Sequence, residues 1–180
     1  MVQQSTALSP EDQEKAEKAY ALAYEFEQKY GNCPQCVLAA IQEAVGVVDD
    51  VVFKAGHALA GGGALSGAGT CGALSGGMLA IAAKYGRDRV TFAKGRSRLS
   101  YQLSKALLDR FVAEFGSPIC AAVQTKMLGR AYDLWDPKDY KAFEAAGAHV
   151  DKCPQVAGSA AKWTAEILLA EAAKEQCRRP

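Results

Sequence analysis

Four cysteines, far apart along the chain, each fall where a helix is predicted to begin. Cys33 precedes Pro34 and Cys153 precedes Pro154. Proline is favoured at the first helical position, where its missing N–H is not needed and its fixed φ already suits the helix. Cys71 follows Gly69-Thr70 at the start of another predicted helix, and Cys120 lies two residues after Pro118, in the first turn of its own. Helix N-termini expose unpaired amide donors and carry partial positive charge. Both effects stabilise a thiolate. Both also suit an anionic iron–sulfur cluster, whose sulfurs accept hydrogen bonds from backbone amides. The opposing reading is plain burial, because a free cysteine often serves as a small hydrophobe.

Helical signals dominate the remainder. Ser9-Pro10-Glu11-Asp12 starts a helix that runs to about Tyr30 and stops at Gly31-Asn32. A second helix follows Pro34, with Val37, Leu38, Ile41 and Val45 at helical spacing and Gly46 at its end. A short helix is expected from about Asp49 to Ala60, and another from about Thr70 to Tyr85. A long one is expected from Val90 to Phe115, with Leu99, Leu103, Leu107, Phe111 and Phe115 as its apolar stripe. Ser117-Pro118 begins a further helix, Lys138 to Ala146 forms a short one, and the last runs from Pro154 to about Lys174, leaving Gln176 to Pro180 frayed. No strand pair and no linker is evident. The expectation is an all-α fold: one compact multi-helix domain with a glycine-rich loop, spanning residues 1–180 with its core at about 10–175.

The loop is Gly61-Gly62-Gly63-Ala64-Leu65-Ser66-Gly67-Ala68-Gly69, where five glycines in nine residues preclude a stable helix. Such a segment lets backbone approach a bound group closely. Gly61, Gly62 and Gly63, with Gly72 beside Cys71, are the candidate cofactor-contacting glycines. The run precedes no Gly-Lys-Ser/Thr and follows no strand, so nucleotide binding is not supported. Ser66, Thr70 and Ser75 lack a paired histidine and acid in recognisable spacing, so no hydrolase is read.

The net charge of +1 provides no global field toward nucleic acid or membrane. Met1 to Tyr20 lacks a secretory signal pattern, and no run of about 18 apolar residues exists. The expected compartment is therefore the cytoplasm. There thiols stay reduced, so the six cysteines are expected to serve metal binding, redox chemistry or burial rather than a disulfide framework. Cys177, in the tail, is incidental.

Cys33-Pro34-Gln35-Cys36 can be a dithiol or half of a metal site. A thioredoxin assignment needs a βαβ context, which is missing. The echo at Cys153-Pro154-Gln155-Val156 lends more weight to the first cysteine and its proline than to Cys36. Cys36 and His57 are further candidate ligands; His57 and His149 each have a structural reading too. Arg87, Arg89, Lys94, Arg96 and Arg98 make either a solvated face or a docking patch for an acidic redox partner. Trp135 and Trp163 read as core or interface residues. Gly/Ala-rich helices could support a homodimer.

At Gly31-Asn32-Cys33-Pro34-Gln35-Cys36-Val37-Leu38, at Gly61-Gly62-Gly63 and at Cys71-Gly72-Ala73-Leu74-Ser75-Gly76, followed in order by Cys120 and Cys153, the chain resembles a redox-active family. That family is named for its C, GCAxxG, C, C cysteine pattern and is related to the cluster-bearing part of split-Soret cytochromes c. The resemblance covers about Tyr20 to Ala165. It implies a helical fold and a cysteine-based redox role, with Cys33, Cys71, Cys120 and Cys153 as the residues carried over as ligands of a [2Fe–2S] or [4Fe–4S] cluster. No C-x-x-C-H occurs, so haem is not expected. Two other readings stand beside the cluster: a metal-free thiol–disulfide oxidoreductase using Cys33 and Cys36, and a zinc-stabilised or metal-free helical interaction protein.

Overall fold

Ser9 starts the first helix by accepting the Asp12 amide on its Oγ at 3.1 Å, with Pro10 in the first position. The structure, a computed structural model, describes residues 8–95 and 97–178. Helix α1 (Pro10–Tyr30) ends at Gly31, whose φ of 62° suits a residue without a β-carbon. Its buried stripe is Ala16, Ala19, Ala23 and Glu27. The small residues let the C-terminal helix α8 (Cys153–Arg178) lie close along α1 through Ala157, Gly158, Ala161 and Ala165. At Gly158 a β-carbon would stand 3.0 Å from the Tyr20 ring.

Helix α2 (Cys33–Val45) is the most enclosed, burying Pro34, Cys36, Val37, Leu38, Ala40, Ile41 and Ala44 against α1, α8 and α4 (Gly72–Tyr85). Its contact with α4 depends on Gly76, where a β-carbon would stand 2.7 Å from the Pro34 carbonyl oxygen. Helix α3 (Asp50–Ala55) is capped by Asp49 Oδ1, which accepts the Val52 amide at 2.8 Å. The helix expected to continue to Ala60 stops at Gly56, and His57–Leu59 is a 3₁₀ turn.

The long helix expected from Val90 is two elements. Arg89–Lys94 is a 3₁₀ turn, and Gly95, with φ of 134°, separates it from α5 (Arg98–Phe115). The expected apolar stripe begins only at Leu99, beyond this break, and the residues of the turn before it are largely exposed. Within α5 the stripe lies as expected, with Leu107, Phe111 and Phe115 buried and Leu99 and Leu103 packed at the core's margin. Helices α6 (Cys120–Leu128) and α7 (Pro137–Ala145) follow, and a π-helical turn, Ala148–Lys152, leads directly into α8. Helix α8 continues through Arg178, past the expected fraying point, while Arg179 and Pro180 lie outside the described residues.

The fold is all-α. Among the described residues the sole extended pairing is an isolated antiparallel bridge between Thr70 and Ile119. No described helix is long and apolar enough to cross a membrane.

Candidate cysteine site

The bridge between Thr70 and Ile119 clamps two of the four cysteines together. The Cys71 amide donates to the Pro118 carbonyl at 2.7 Å, and the Cys120 amide donates to the Gly69 carbonyl at 2.9 Å. The glycine run is itself folded by backbone bonds, with Gly67 donating to Gly61 O at 2.8 Å and Gly69 to Gly62 O at 2.9 Å. Trp135 Nε1 pins its tip by donating to Ala64 O at 2.8 Å. Positive φ at Gly61, Gly62 and Gly63 lets the chain turn back toward α6.

Cys33, Cys71, Cys120 and Cys153 all line one cavity of about 200 Å³. Cys33 opens α2, Cys71 caps α4, Cys120 opens α6 and Cys153 opens α8. The described cysteines are all free thiols; Cys71 and Cys120 are buried, while Cys33 and Cys153 keep partial exposure. Each of the four sits at a helix start, as expected, but three of their own amides are already engaged. The amides of Cys71 and Cys120 are engaged across the loop, and the Cys153 amide donates to Ala148 O because the π-turn runs into α8.

The thiols differ in acidity. Hydrogen bonding to Cys120 and Cys33, and then burial, push the Cys71 thiol well above its ordinary value. Cys120 moves the opposite way, because the hydrogen bond from Cys71 favours its thiolate more than burial opposes it, and Gln124 adds to the effect. Gln124 Nε2 donates to Cys120 Sγ at 3.6 Å while its Oε1 accepts the Tyr132 amide at 2.9 Å, so its orientation is fixed. Burial, followed by the proximity of Cys33 and Glu27, pushes Cys153 up.

Of the candidate glycines, Gly72 and Gly62 lie directly against the cysteines. A β-carbon on Gly72 would meet Cys33 Sγ at 2.6 Å, and one on Gly62 would meet Cys120 Cβ at 2.9 Å. Gly61 lines the cavity wall. Gly63 faces open space outside that lining, so its part is the turn rather than contact with a bound group.

The two further ligand candidates lie elsewhere. Cys36 is outside the cavity lining and donates its thiol proton to Gly31 O at 2.8 Å. Burial, and then Glu27, push its pKa far up, which leaves it a poor nucleophile and a poor resolving thiol. His57 Nδ1 stands 3.0 Å from Gln35 Oε1 and 3.1 Å from Asn32 Nδ2, outside the cavity, where the ring braces the start of α2.

His149 is the histidine in the cavity wall, and Glu27 is the residue that sequence reasoning missed. Glu27 is 1% exposed, and its Oε2 is a buried oxygen with no hydrogen-bond partner. The signal was available: Glu27 continues the Ala16, Ala19, Ala23 stripe, which places it on the buried face of α1.

The basic run lies past the C-terminal end of α4, whereas Cys71 caps its N-terminus. Fourteen helical residues separate them, about 21 Å. Arg87 stacks its guanidinium 4.2 Å from the Phe92 ring centre and donates to Gly95 O at 2.7 Å, so part of the run is engaged locally. Arg96 lies outside the described residues. Trp163 packs at the core beside Phe115, and Trp135 lies mostly exposed over the glycine loop.

Fold and site together define an all-helical protein with several cysteines converging on one internal cavity. The chain belongs to the family described as "Putative redox-active protein (C_GCAxxG_C_C)", whose model matches residues 31–167, the span that holds all four cavity cysteines. No curated protein and no solved structure matches the chain.

Proposed function

We propose that the protein carries an iron–sulfur cluster on Cys33, Cys71, Cys120 and Cys153 and works in electron transfer or redox sensing, in the reducing environment of the cytoplasm. The observation that carries this reading is that four thiols from separate helix starts line a single cavity. The donor set is all sulfur, the chemistry that selects clusters or zinc. Zinc would need its ligands gathered tetrahedrally around one point. Among the described residues no three His, Cys, Asp or Glu side chains are gathered as a single metal ion needs. The metal and sulfide content of the purified protein decides between the two.

When bound, the cluster would supply one-electron chemistry. The chain's part is to fix the four thiolates, exclude water and hold backbone against the cluster at Gly62 and Gly72. The test is anaerobic purification or reconstitution, with iron, acid-labile sulfide and zinc analysis and a visible spectrum. Matched iron and sulfide, with the spectrum bleached or shifted in Cys→Ser variants at each of the four positions, is the expected result. A colourless, iron-free protein after reconstitution overturns it.

One observation favours a second reading, metal-free dithiol chemistry. Cys71 hydrogen-bonds Cys120 and lowers its pKa, which is how a nucleophilic thiolate and its partner are set up. In that reading the working pair is Cys71 and Cys120, in place of the expected Cys33 and Cys36.

A further inference from the structure

Glu27 poses a physical problem. A carboxylate oxygen buried without a partner is costly, and ionised acids are seldom fully buried unless paired. Here Glu27 forms part of the wall of the cysteine cavity, with Oε2 unpartnered. Its other oxygen, Oε1, stands 3.7 Å from His149 Nε2. On the far side of the ring, His149 Nδ1 stands 2.6 Å from Glu144 Oε1. Side-chain exposure rises along this line, from 2% at Glu27 to 23% at His149 and 37% at Glu144. Phe143 packs edge-on against the imidazole, with centroids 5.5 Å apart, and restrains its tilt. The three residues come from α1, the π-turn and α7.

We propose that Glu144, His149 and Glu27 form a proton relay from the surface to the cysteine cavity, so that adding an electron to the redox group held there draws a proton onto Glu27. The inference rests on the cavity holding such a group. The electron comes from an external one-electron reductant and the proton from solvent. Glu144 accepts that proton at the surface, His149 takes it on Nδ1 and releases one from Nε2, and Glu27 receives it. Each added negative charge in the cavity raises the cost of an ionised Glu27, and proton uptake cancels it. Imidazole is suited to the middle position because its two nitrogens can take and give a proton on opposite faces. The 3.7 Å gap to Glu27 is closed by a small rotation of either side chain.

The groups facing Glu27 are consistent with this assignment. From α2 comes the Cys36 thiol, and from the π-turn His149 with Glu144 behind it. Burial raises the pKa of Glu27 more than Cys36 and His149 lower it, so the group takes up a proton more readily than an ordinary carboxylate. The nearby cation Lys152 is paired with Asp151 Oδ2 at 2.9 Å.

The experiment is a potentiometric titration of the reconstituted protein at several pH values, wild type against Glu27→Gln and Glu144→Gln. The wild-type potential should fall with rising pH, approaching about 59 mV per tenfold change in proton concentration, the value for one proton per electron. Glu27→Gln should remove the slope, and Glu144→Gln should slow electron-coupled proton uptake while leaving the slope in place. A pH-independent wild type, or a slope retained in Glu27→Gln, overturns the relay. If no cluster can be reconstituted, the cluster reading has failed separately, and the relay is tested by infrared spectroscopy of the metal-free protein. A protonated-carboxyl band should persist above the usual carboxylate range, vanish in Glu27→Gln and shift its midpoint in His149→Asn. Absence of the band, or a midpoint indifferent to His149, counts against it.

Discussion

A β-carbon placed on Gly72 would stand 2.6 Å from Cys33 Sγ. The same atom would meet Pro34 Cδ at 2.6 Å and Leu59 O at 3.2 Å, so neither a rotamer change nor a small shift relieves the contact. Gly72 therefore sets how closely the start of α4 approaches the start of α2, and with it the separation of Cys71 from Cys33.

Gly72→Ala should cost about 1–3 kcal/mol by overpacking. It should also displace Cys33 enough to abolish or markedly weaken cluster assembly. Gly63→Ala is the matched control: φ is +80° there, but nothing lies within 4 Å of the new atom. It should cost about 1–2 kcal/mol of backbone strain and leave iron content unchanged. Denaturant midpoints together with iron-to-protein ratios separate the two effects. Equal iron loss in both variants would remove Gly72 from the site.

Cys36 provides a second contrast. Its thiol is satisfied by Gly31 O and lies outside the cavity. Cys36→Ala should leave the visible spectrum and iron content intact and cost on the order of 1 kcal/mol in lost packing. Iron analysis beside the four cavity-cysteine variants decides the matter, and a spectrum bleached by Cys36→Ala would return this residue to the ligand set.

Much of this was legible in the sequence, for identifiable reasons. Ser9-Pro10, Cys33-Pro34 and the glycines at 31 and 46 are local capping signals, and the helix boundaries they predict agree closely with the structure. The convergence of four cysteines followed from their helix-start positions and from the family resemblance. What failed depended on backbone geometry or long-range contact. The long helix starts later than the expected Val90: its apolar stripe starts only at Leu99, and the preceding residues form a separate 3₁₀ turn that ends at Gly95. The π-turn before Cys153 left no mark in composition, so its occupied amide was not foreseen. His57 drew notice by lying next to the glycine run, whereas His149 reaches the cavity only through the packing of α7 and the π-turn against α1.

Stability should depend on Glu27 with a definite sign. Its folded pKa lies above the ordinary 4.5, with burial the main cause. A group raised in the folded state contributes stability that is fully present below its unfolded value and is lost as pH rises through its folded value. Wild type should therefore lose stability as pH climbs from about 4.5 toward neutrality. Glu27→Gln, which cannot ionise, should be close to wild type in acid and more stable at neutral pH. Urea midpoints at pH values across this interval give the comparison. A variant less stable than wild type at neutral pH would mean that the Glu27–His149 pair contributes more than burial costs.

The last prediction concerns the metal-free protein. Cys71 and Cys120 shift in opposite directions because one S–H donates to the other sulfur. Cys120 should thus hold the larger thiolate fraction of the two at neutral pH, with Gln124 assisting. Removing the donor in Cys71→Ala should raise the pKa of Cys120 and slow its alkylation at neutral pH several-fold, since the thiolate is the reacting form. Gln124→Leu should act in the same direction but more weakly, because its contribution is the smaller of the two. Mass-spectrometric mapping of alkylated cysteines against time resolves Cys120 from the more exposed Cys33, Cys153 and Cys177. Faster labelling of Cys120 in Cys71→Ala would show that access, rather than ionisation, limits the reaction. It would leave the dithiol reading without its electrostatic basis.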